Sequence, residues 1–457
     1  MKSAMNKTLV CTALLGALAG QAQASDAKNV ILFIGDGMGP TVLTATRLFK
    51  VGEEGDLEIM KLPRSARIKT FSNDAQTTDS APSMAAYTTG VKMNNEVIAM
   101  SSDTQAVAPG KDVNGNKGVN NCTSDNGTPV PTLLELAKAA GKSVGAVTTT
   151  ELTHATPAAT YSHICHRDAA YAIAEQAVPG GAGFNTALGD GVDVLLGGGA
   201  NHWTPYSASN KGGRADGRDL TAELSAQGYQ YVTTQSDLAK VQNGKVLGLF
   251  SAKSHLDYEL DRVAKGAANT QPSLSEMTAK AIDLLSQNSE GYFLMVEGGR
   301  IDHALHATNA KRSLTDAVAL DEAVKTALAK VDLANTLIVV TADHDHTMTI
   351  NGYSAKGNPV LDLVKNEDGS TQNDAQGKPF TTLVFGNGPT RHDVRPTLTS
   401  DQVMADDYLQ ETGVKLGSET HGGGDVMLFA GGAGSDRFKG TLDNTRVFGK
   451  LREALGL

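Results

Sequence analysis

Residues 29–34 read Asn-Val-Ile-Leu-Phe-Ile and stop abruptly at Gly35-Asp36-Gly37-Met38-Gly39. A strand with no polar alternation must be covered on both faces, which a parallel sheet flanked by helices provides. Similar apolar runs recur at 143–147, 192–196, 292–296 and 336–340, with helical patterns between them at 131–140, 168–177, 273–286 and 302–331. This alternation predicts an α/β fold: a mostly parallel central sheet with helices on both faces. Runs at 381–385 and 426–429 are expected to add edge strands, and 446–455 an amphipathic closing helix. At 457 residues and 40% hydrophobic content, the chain can fill one large domain carrying insertions. Two stretches break the rhythm. Residues 201–218 are polar and glycine-rich and read as a surface loop, while 351–419 read as an insertion on the functional edge of the sheet.

Residues 1–24 have the form of a secretory signal, with Lys2 and Lys7 ahead of a short apolar run and Ala22-Gln23-Ala24 as the cleavage site. The run is too short to span a bilayer, so export to the periplasm or the medium is expected and residues 25–457 form the mature catalytic domain. Of three cysteines, Cys11 leaves with the signal; Cys122 and Cys165 remain and can pair in an oxidising compartment. The formal charge of −10 becomes −12 once the two leader lysines are gone. Such a chain does not bind nucleic acid through its general field, and a phosphate-bearing substrate must be captured by local cations.

Candidate chemistry gathers where the strands end, the usual ligand position in open α/β sheets. Asp36 follows the first run, Glu297 the fourth, and Asp343 with His344 the fifth. In Glu297-Gly298-Gly299-Arg300-Ile301-Asp302-His303-Ala304-Leu305-His306, the i,i+4 spacing of Asp302 and His306 places both on one helical face. His421 sits in a glycine-rich turn before an apolar strand. Asp79-Ser80-Ala81-Pro82 marks a helix start, where free N–H groups and the dipole favour an anion; Asp79 also reads simply as an N-cap. Thr156 can give a hard oxygen to Mg²⁺, and Arg167 can fork two N–H bonds onto phosphate. Mixed His and carboxylate ligands suit Zn²⁺ and all-oxygen ligands suit Mg²⁺, and spacing leaves both open.

Taken in order, GDGMG (35–39), TTDSA (77–81), THATPAATYSHICHR (153–167), VEGGRIDHALH (296–306), TADHDH (341–346) and ETHGGGDV (419–426) resemble the alkaline phosphatase family. The resemblance implies hydrolysis of phosphate monoesters through a phosphoserine on Ser80, with Arg167 clamping the phosphate. It implies two zinc ions, one on Asp302, His306 and His421 and one on Asp36, Asp343 and His344. It also implies a magnesium ion on Asp36, Thr156 and Glu297. His154 and His303 stand where enterobacterial members carry Asp and Lys and where animal members carry His, which implies a looser shell around the third metal. Ser251 and Gln271 replace two acidic calcium ligands of animal members, so no calcium is expected. The insertion resembles a small crown, and the family implies a homodimer. Two other functions compete: a phosphodiesterase of the same superfamily, and a secreted phosphate- or metal-binding protein without catalysis. The presence of Ser80 favours the enzyme over the latter.

Overall fold

The computed structural model describes residues 27–457; the leader at 1–24 lies outside the described residues. Ten strands form the central sheet: β1 (Asn29–Gly35), β2 (Arg64–Lys69), β3 (Ser143–Glu151), β4 (Val194–Gly198), β5 (Gln230–Val232), β6 (Val246–Leu249), β7 (Tyr292–Gly298), β8 (Thr336–Thr341), β9 (Val426–Gly432) and β10 (Gly440–Asp443). Their spatial order is β10-β2-β9-β8-β1-β7-β3-β4-β6-β5. Every pairing is parallel except those of β9 with β8 and with β2. Val30, Ile31, Leu32, Phe33 and Ile34 are all fully buried, as their unbroken hydrophobicity requires.

The 426–429 run was expected at an edge. Instead β9 lies inside the sheet, because β2 and β10 pair beyond it and satisfy its outer backbone groups. The 381–385 run does not join the sheet at all. Residues Leu383–Gly388 pair with Met348–Ile350 and Thr412–Lys415 in a separate three-stranded sheet, two strands from the insertion and one from the residues just before it.

Helices α1 (Pro40–Val51), α2 (Ser80–Thr89), α3 (Leu133–Ala139), α4 (Ala155–Tyr161), α5 (Leu274–Leu285), α6 (Arg300–His306), α7 (Ala310–Lys330) and α8 (Thr445–Ala454) supply the layers around the sheet. α1, α5 and α7 pack together, α2, α3, α4 and α8 pack together, and members of each group rest on β3 and β7. The single helical pattern at 302–331 is two helices. Thr308 takes a left-handed φ of 59°, and the Asn309 side chain accepts from Arg312 N at 2.9 Å to start α7. That break frees α6 to aim Asp302 and His306 at the sheet edge independently of the long helix. The 201–218 stretch is also more than a surface loop. It buries Trp203 completely and Arg214 almost so, with the guanidinium held by Glu175, Asp216 and the Tyr171 carbonyl.

Cys122 and Cys165 form a disulfide, tying the 120s loop to the segment that carries Arg167. No helix among the described residues is long and apolar enough to cross a membrane.

Glu135 shows how buried charge stabilises the scaffold. Its carboxylate accepts from Thr132 N in a capping box on α3, from Asn185 Nδ2, and from His163 Nε2 at 2.7 Å. Burial works against both charges, but contacts led by His163, with Asn185 and Thr132 N, together outweigh it and hold Glu135 below its ordinary 4.5. Likewise, Glu135 outweighs the burial that would lower His163 and raises it above 6.5. A raised imidazole stabilises the fold below its unfolded value, and that contribution disappears as pH climbs through the folded one. A lowered carboxyl stabilises above its unfolded value, and that contribution disappears on acidification. The ionic contribution is therefore greatest between the unfolded values of 4.5 and 6.5 and weakens on the alkaline side. E135Q keeps the cap but removes the charge. It should lower Tm, by an amount larger near about pH 6 than near about pH 9. A deficit independent of pH would contradict this pairing.

Candidate metal and phosphate site

The parallel register builds the site. Ile34 lies beside both Glu297 and Thr341, and Thr148 beside Glu297, so the first residues past β1 and β8 and the end of β7 converge at one edge. β1 sits between β7 and β8, the position at which such sheets open a ligand crevice. Asp343 is fixed there by accepting from Gly37 N and His344 N, both at 3.0 Å.

Ser80 is the first residue of α2. The Asp79 side chain caps that helix by accepting from Ala81 N at 2.7 Å, leaving the serine at the positive end of the dipole. The helix is pinned to the end of β8 by Ser83 Oγ donating to the Asp343 carbonyl at 2.6 Å and by Tyr87 donating to Ala342 O at 2.8 Å. Ser80 Oγ lies 3.2 Å from His344 Nε2 and 3.5 Å from Asp36 Oδ1.

The histidines share one arrangement. The Nδ1 atoms of His306, His344 and His421 lie 2.6, 3.2 and 2.8 Å from the carbonyls of Glu419, Asp345 and Thr78. A carbonyl can only accept, so each Nδ1 carries the proton and each Nε2 presents a lone pair inward, as metal-binding imidazoles do. His306 Nε2 and His421 Nε2 then face each other at 3.1 Å. Each is 3.3 Å from Asp302 Oδ1, and His344 Nε2 is 3.2 Å from Asp36 Oδ1 and 3.4 Å from Asp343 Oδ2. Lone pairs and carboxylates brought this close repel unless a cation lies among them.

The buried oxygens point the same way. Asp36 Oδ2, Asp343 Oδ2, Glu297 Oε1 and Thr156 Oγ1 are enclosed and have no protein partner. Burial, followed by repulsion from Asp343, Asp302 and Glu297, pushes the Asp36 carboxyl well above its usual range. Burial and Asp343 push Glu297 up to about 7. Burial also raises Asp343. The residues present therefore fit metal ions: unpartnered hard oxygens and inward imidazole lone pairs, crowded where protein alone leaves them unsatisfied.

Arg167 Nη1 is 3.1 Å from Asp79 Oδ1, and Nη2 is 3.1 Å from His154 Nε2. Burial alone would lower this guanidinium, but Asp79, Glu96, Asp36 and Asp302 together hold it charged. His154, Asp36 and Glu297 offer ligand atoms all within 4.8 Å of one another. His303 packs edge-on against His154 with ring centres 5.2 Å apart, and its Nδ1 accepts from Arg300 at 2.9 Å. These contacts bring Asp36, Ser80, Glu297, Asp302, His306, Asp343, His344 and His421 to one edge with Arg167, His154 and His303 beside them, while Thr156 is buried with its Oγ1 unpartnered.

Three contributors were not anticipated. His346 bridges Asp302 Oδ1 at 2.8 Å and Glu419 Oε2 at 2.7 Å, orienting the carboxylate that His306 and His421 share. Glu419 also accepts from Thr347 N and Oγ1 and receives the His306 Nδ1–H on its carbonyl. His255 packs against His303 at a tilt, with ring centres 4.2 Å apart, and its Nδ1 accepts from Glu151 N at 3.1 Å. A two-residue ladder pairing His346 with His421 brings the last turn into the site. His346 and Glu419 sit inside motifs already visible; His255 had no local signal.

The family model described as alkaline phosphatase matches residues 27–457. The tissue-nonspecific alkaline phosphatase of Gallus gallus is 38% identical over 439 residues, covering 89% of this chain and 80% of that protein. The alkaline phosphatase of Gadus morhua is 37% identical over 437 residues, covering 89% and 87%. Among solved structures, Thermus thermophilus alkaline phosphatase matches with a TM-score of 0.70 and 28% identity, covering 98% of this chain and 96% of that one. The enzyme of the Antarctic bacterium TAB5 gives a TM-score of 0.65 and 26% identity, covering 94% and 99%. The chain belongs to the alkaline phosphatase family, and is a metal-dependent phosphomonoesterase.

Proposed function

We propose that the enzyme transfers phosphate from monoesters to Ser80 and then to water, with two zinc ions and one magnesium ion held by its buried ligands. The observation that carries this reading is Ser80 Oγ at a helix start, 3.2 Å from His344 and 3.5 Å from Asp36, on the same turn as the carboxylate that holds Arg167. The mixed nitrogen and oxygen donors Asp302, His306 and His421, and Asp36, Asp343 and His344, suit zinc. The all-oxygen set Asp36, Thr156 and Glu297 suits magnesium, and a solved TAB5 alkaline phosphatase mutant carries Mg in its M3 site. When bound, these cations would neutralise phosphate charge and lower the pKa of hydroxyl and water oxygens.

The chain's own groups do the remaining work. Arg167 donates to two non-bridging phosphate oxygens, and Asp79 holds its plane in place. The first free N–H groups of α2 add their dipole to the same anion. Ser80 Oγ forms a bond to phosphorus as the ester P–O bond breaks and the alcohol departs. Water then attacks the phosphoserine, the Ser80–phosphorus bond breaks, and inorganic phosphate is released. His154 and His303 line the clamp side of the site without entering these steps.

The same reading includes export, supported by the leader at 1–24 and by a disulfide suited to an oxidising compartment. It also includes a homodimer, on family likeness alone.

S80A should lose roughly 10³-fold or more in kcat while binding metals as wild type does. A quenched reaction with 4-nitrophenyl phosphate should give a phosphorylated peptide containing Ser80, absent from the variant. A variant with wild-type turnover would overturn the assignment. R167A should raise the Ki of inorganic phosphate by about tenfold or more and change metal content little. An unchanged Ki would rule out the clamp.

A further inference from the structure

Glu96 stands in the left-handed region with φ of 73°, a conformation unfavourable for a residue with a long side chain. Its backbone makes two contacts there. Glu96 N–H donates to Asp79 Oδ2, and Glu96 C=O accepts from Arg167 N at 2.8 Å. Asp79 Oδ1 in turn accepts from Arg167 Nη1 at 3.1 Å and from Ala81 N at 2.7 Å. These bonds close a ring: Arg167 main chain to Glu96, Glu96 to Asp79, and Asp79 back to the Arg167 guanidinium. The ring includes the residue that caps the helix of Ser80. The Glu96 side chain makes no bond in this ring; its carboxylate adds only to the negative field that holds Arg167 charged. It is 41% exposed, and its contact with His166 Nε2, at 4.0 Å, is beyond hydrogen-bond reach.

We infer that Glu96 is a positioning residue for phosphate capture, fixing the Arg167 plane through its left-handed backbone and not through a bond made by its carboxylate. Only a left-handed residue at this point turns its N–H toward Asp79 and its carbonyl toward the Arg167 segment at once. Losing that conformation frees one carboxylate oxygen of Asp79 and one anchor of the Arg167 main chain, so the guanidinium loses its fixed plane. Strain of this kind persists where the surroundings over-determine it, and here they do so beside the proposed clamp. The inference rests on the reading of Arg167 as that clamp.

The test is inhibition of 4-nitrophenyl phosphate hydrolysis by inorganic phosphate, with metal content and Tm measured on the same preparations. E96G and E96N, which accept a positive φ, should keep the phosphate Ki within about twofold of wild type despite losing the charge. E96V, whose β-branch opposes that conformation, should raise Ki and KM by about tenfold, with a smaller change in kcat and unaltered metal content. If E96V does not accumulate as folded protein, E96A takes its place with an expected rise of about threefold. The inference is overturned if E96G and E96N weaken phosphate binding as much as E96V, or if E96V and E96A bind phosphate as wild type does. R167A measured alongside separates the two readings. An unchanged Ki in R167A removes the clamp itself, whereas a raised Ki in R167A with none in E96V removes only the role of Glu96.

Discussion

Four buried carboxyl groups gathered at one edge of the sheet set the terms for the rest of the molecule. Asp36, Glu297, Asp302 and Asp343 lie buried at one edge of the sheet, where water cannot solvate them and where their charges repel. The chain offsets little of this by itself. Thr148 and Thr150 donate to Glu297, Gly37 donates to Asp343, and His306, His346 and His421 surround Asp302. Oxygens on three of the four acids still have no partner. The fold therefore stores an electrostatic deficit at this edge, and multivalent cations are the species that remove it.

Holding such a site requires a rigid frame. The parallel register of β1, β7 and β8 fixes the three strand ends at one level, and strands buried on both faces do not slip. The proposed nucleophile, Ser80, arrives on a separate element, α2, which is tied to the end of β8 through Ser83 and Tyr87. His421 arrives on a third, through a short ladder with His346 and a hydrogen bond to Thr78. The Ser83, Tyr87 and Thr78 contacts join the serine segment to the segments carrying Asp343 and His421, so Ser80 Oγ is held in register with the charged cluster.

Much of this was legible in the sequence because the physics is local. Apolar runs without alternation specify parallel strands, and acids directly past them specify the ligand edge. The i,i+4 pair Asp302 and His306 needs only one helical turn. What escaped was decided by partners distant along the chain. The run at 426–429 has the same composition whether it lies at an edge or inside, and the arrival of β2 and β10 decides it. The break at Thr308 depends on one left-handed residue and an Asn cap within an otherwise periodic pattern. Among alternating Asp and His residues at 343–346, direction was unreadable, so His346 looked like its neighbours although it orients Asp302 from behind. His255 lies in a polar loop and joins the cluster through ring contacts with His303 and His154 and a hydrogen bond from Glu151 N, all distant in sequence.

The account depends on cations completing these buried groups, and metal analysis with thermal denaturation tests it most directly. Purified enzyme should contain about two zinc ions and one magnesium ion per chain. Chelation should lower Tm by several degrees, and restoring the metals should reverse the loss. Protein free of metal, with a Tm indifferent to chelator and to added zinc and magnesium, would contradict it.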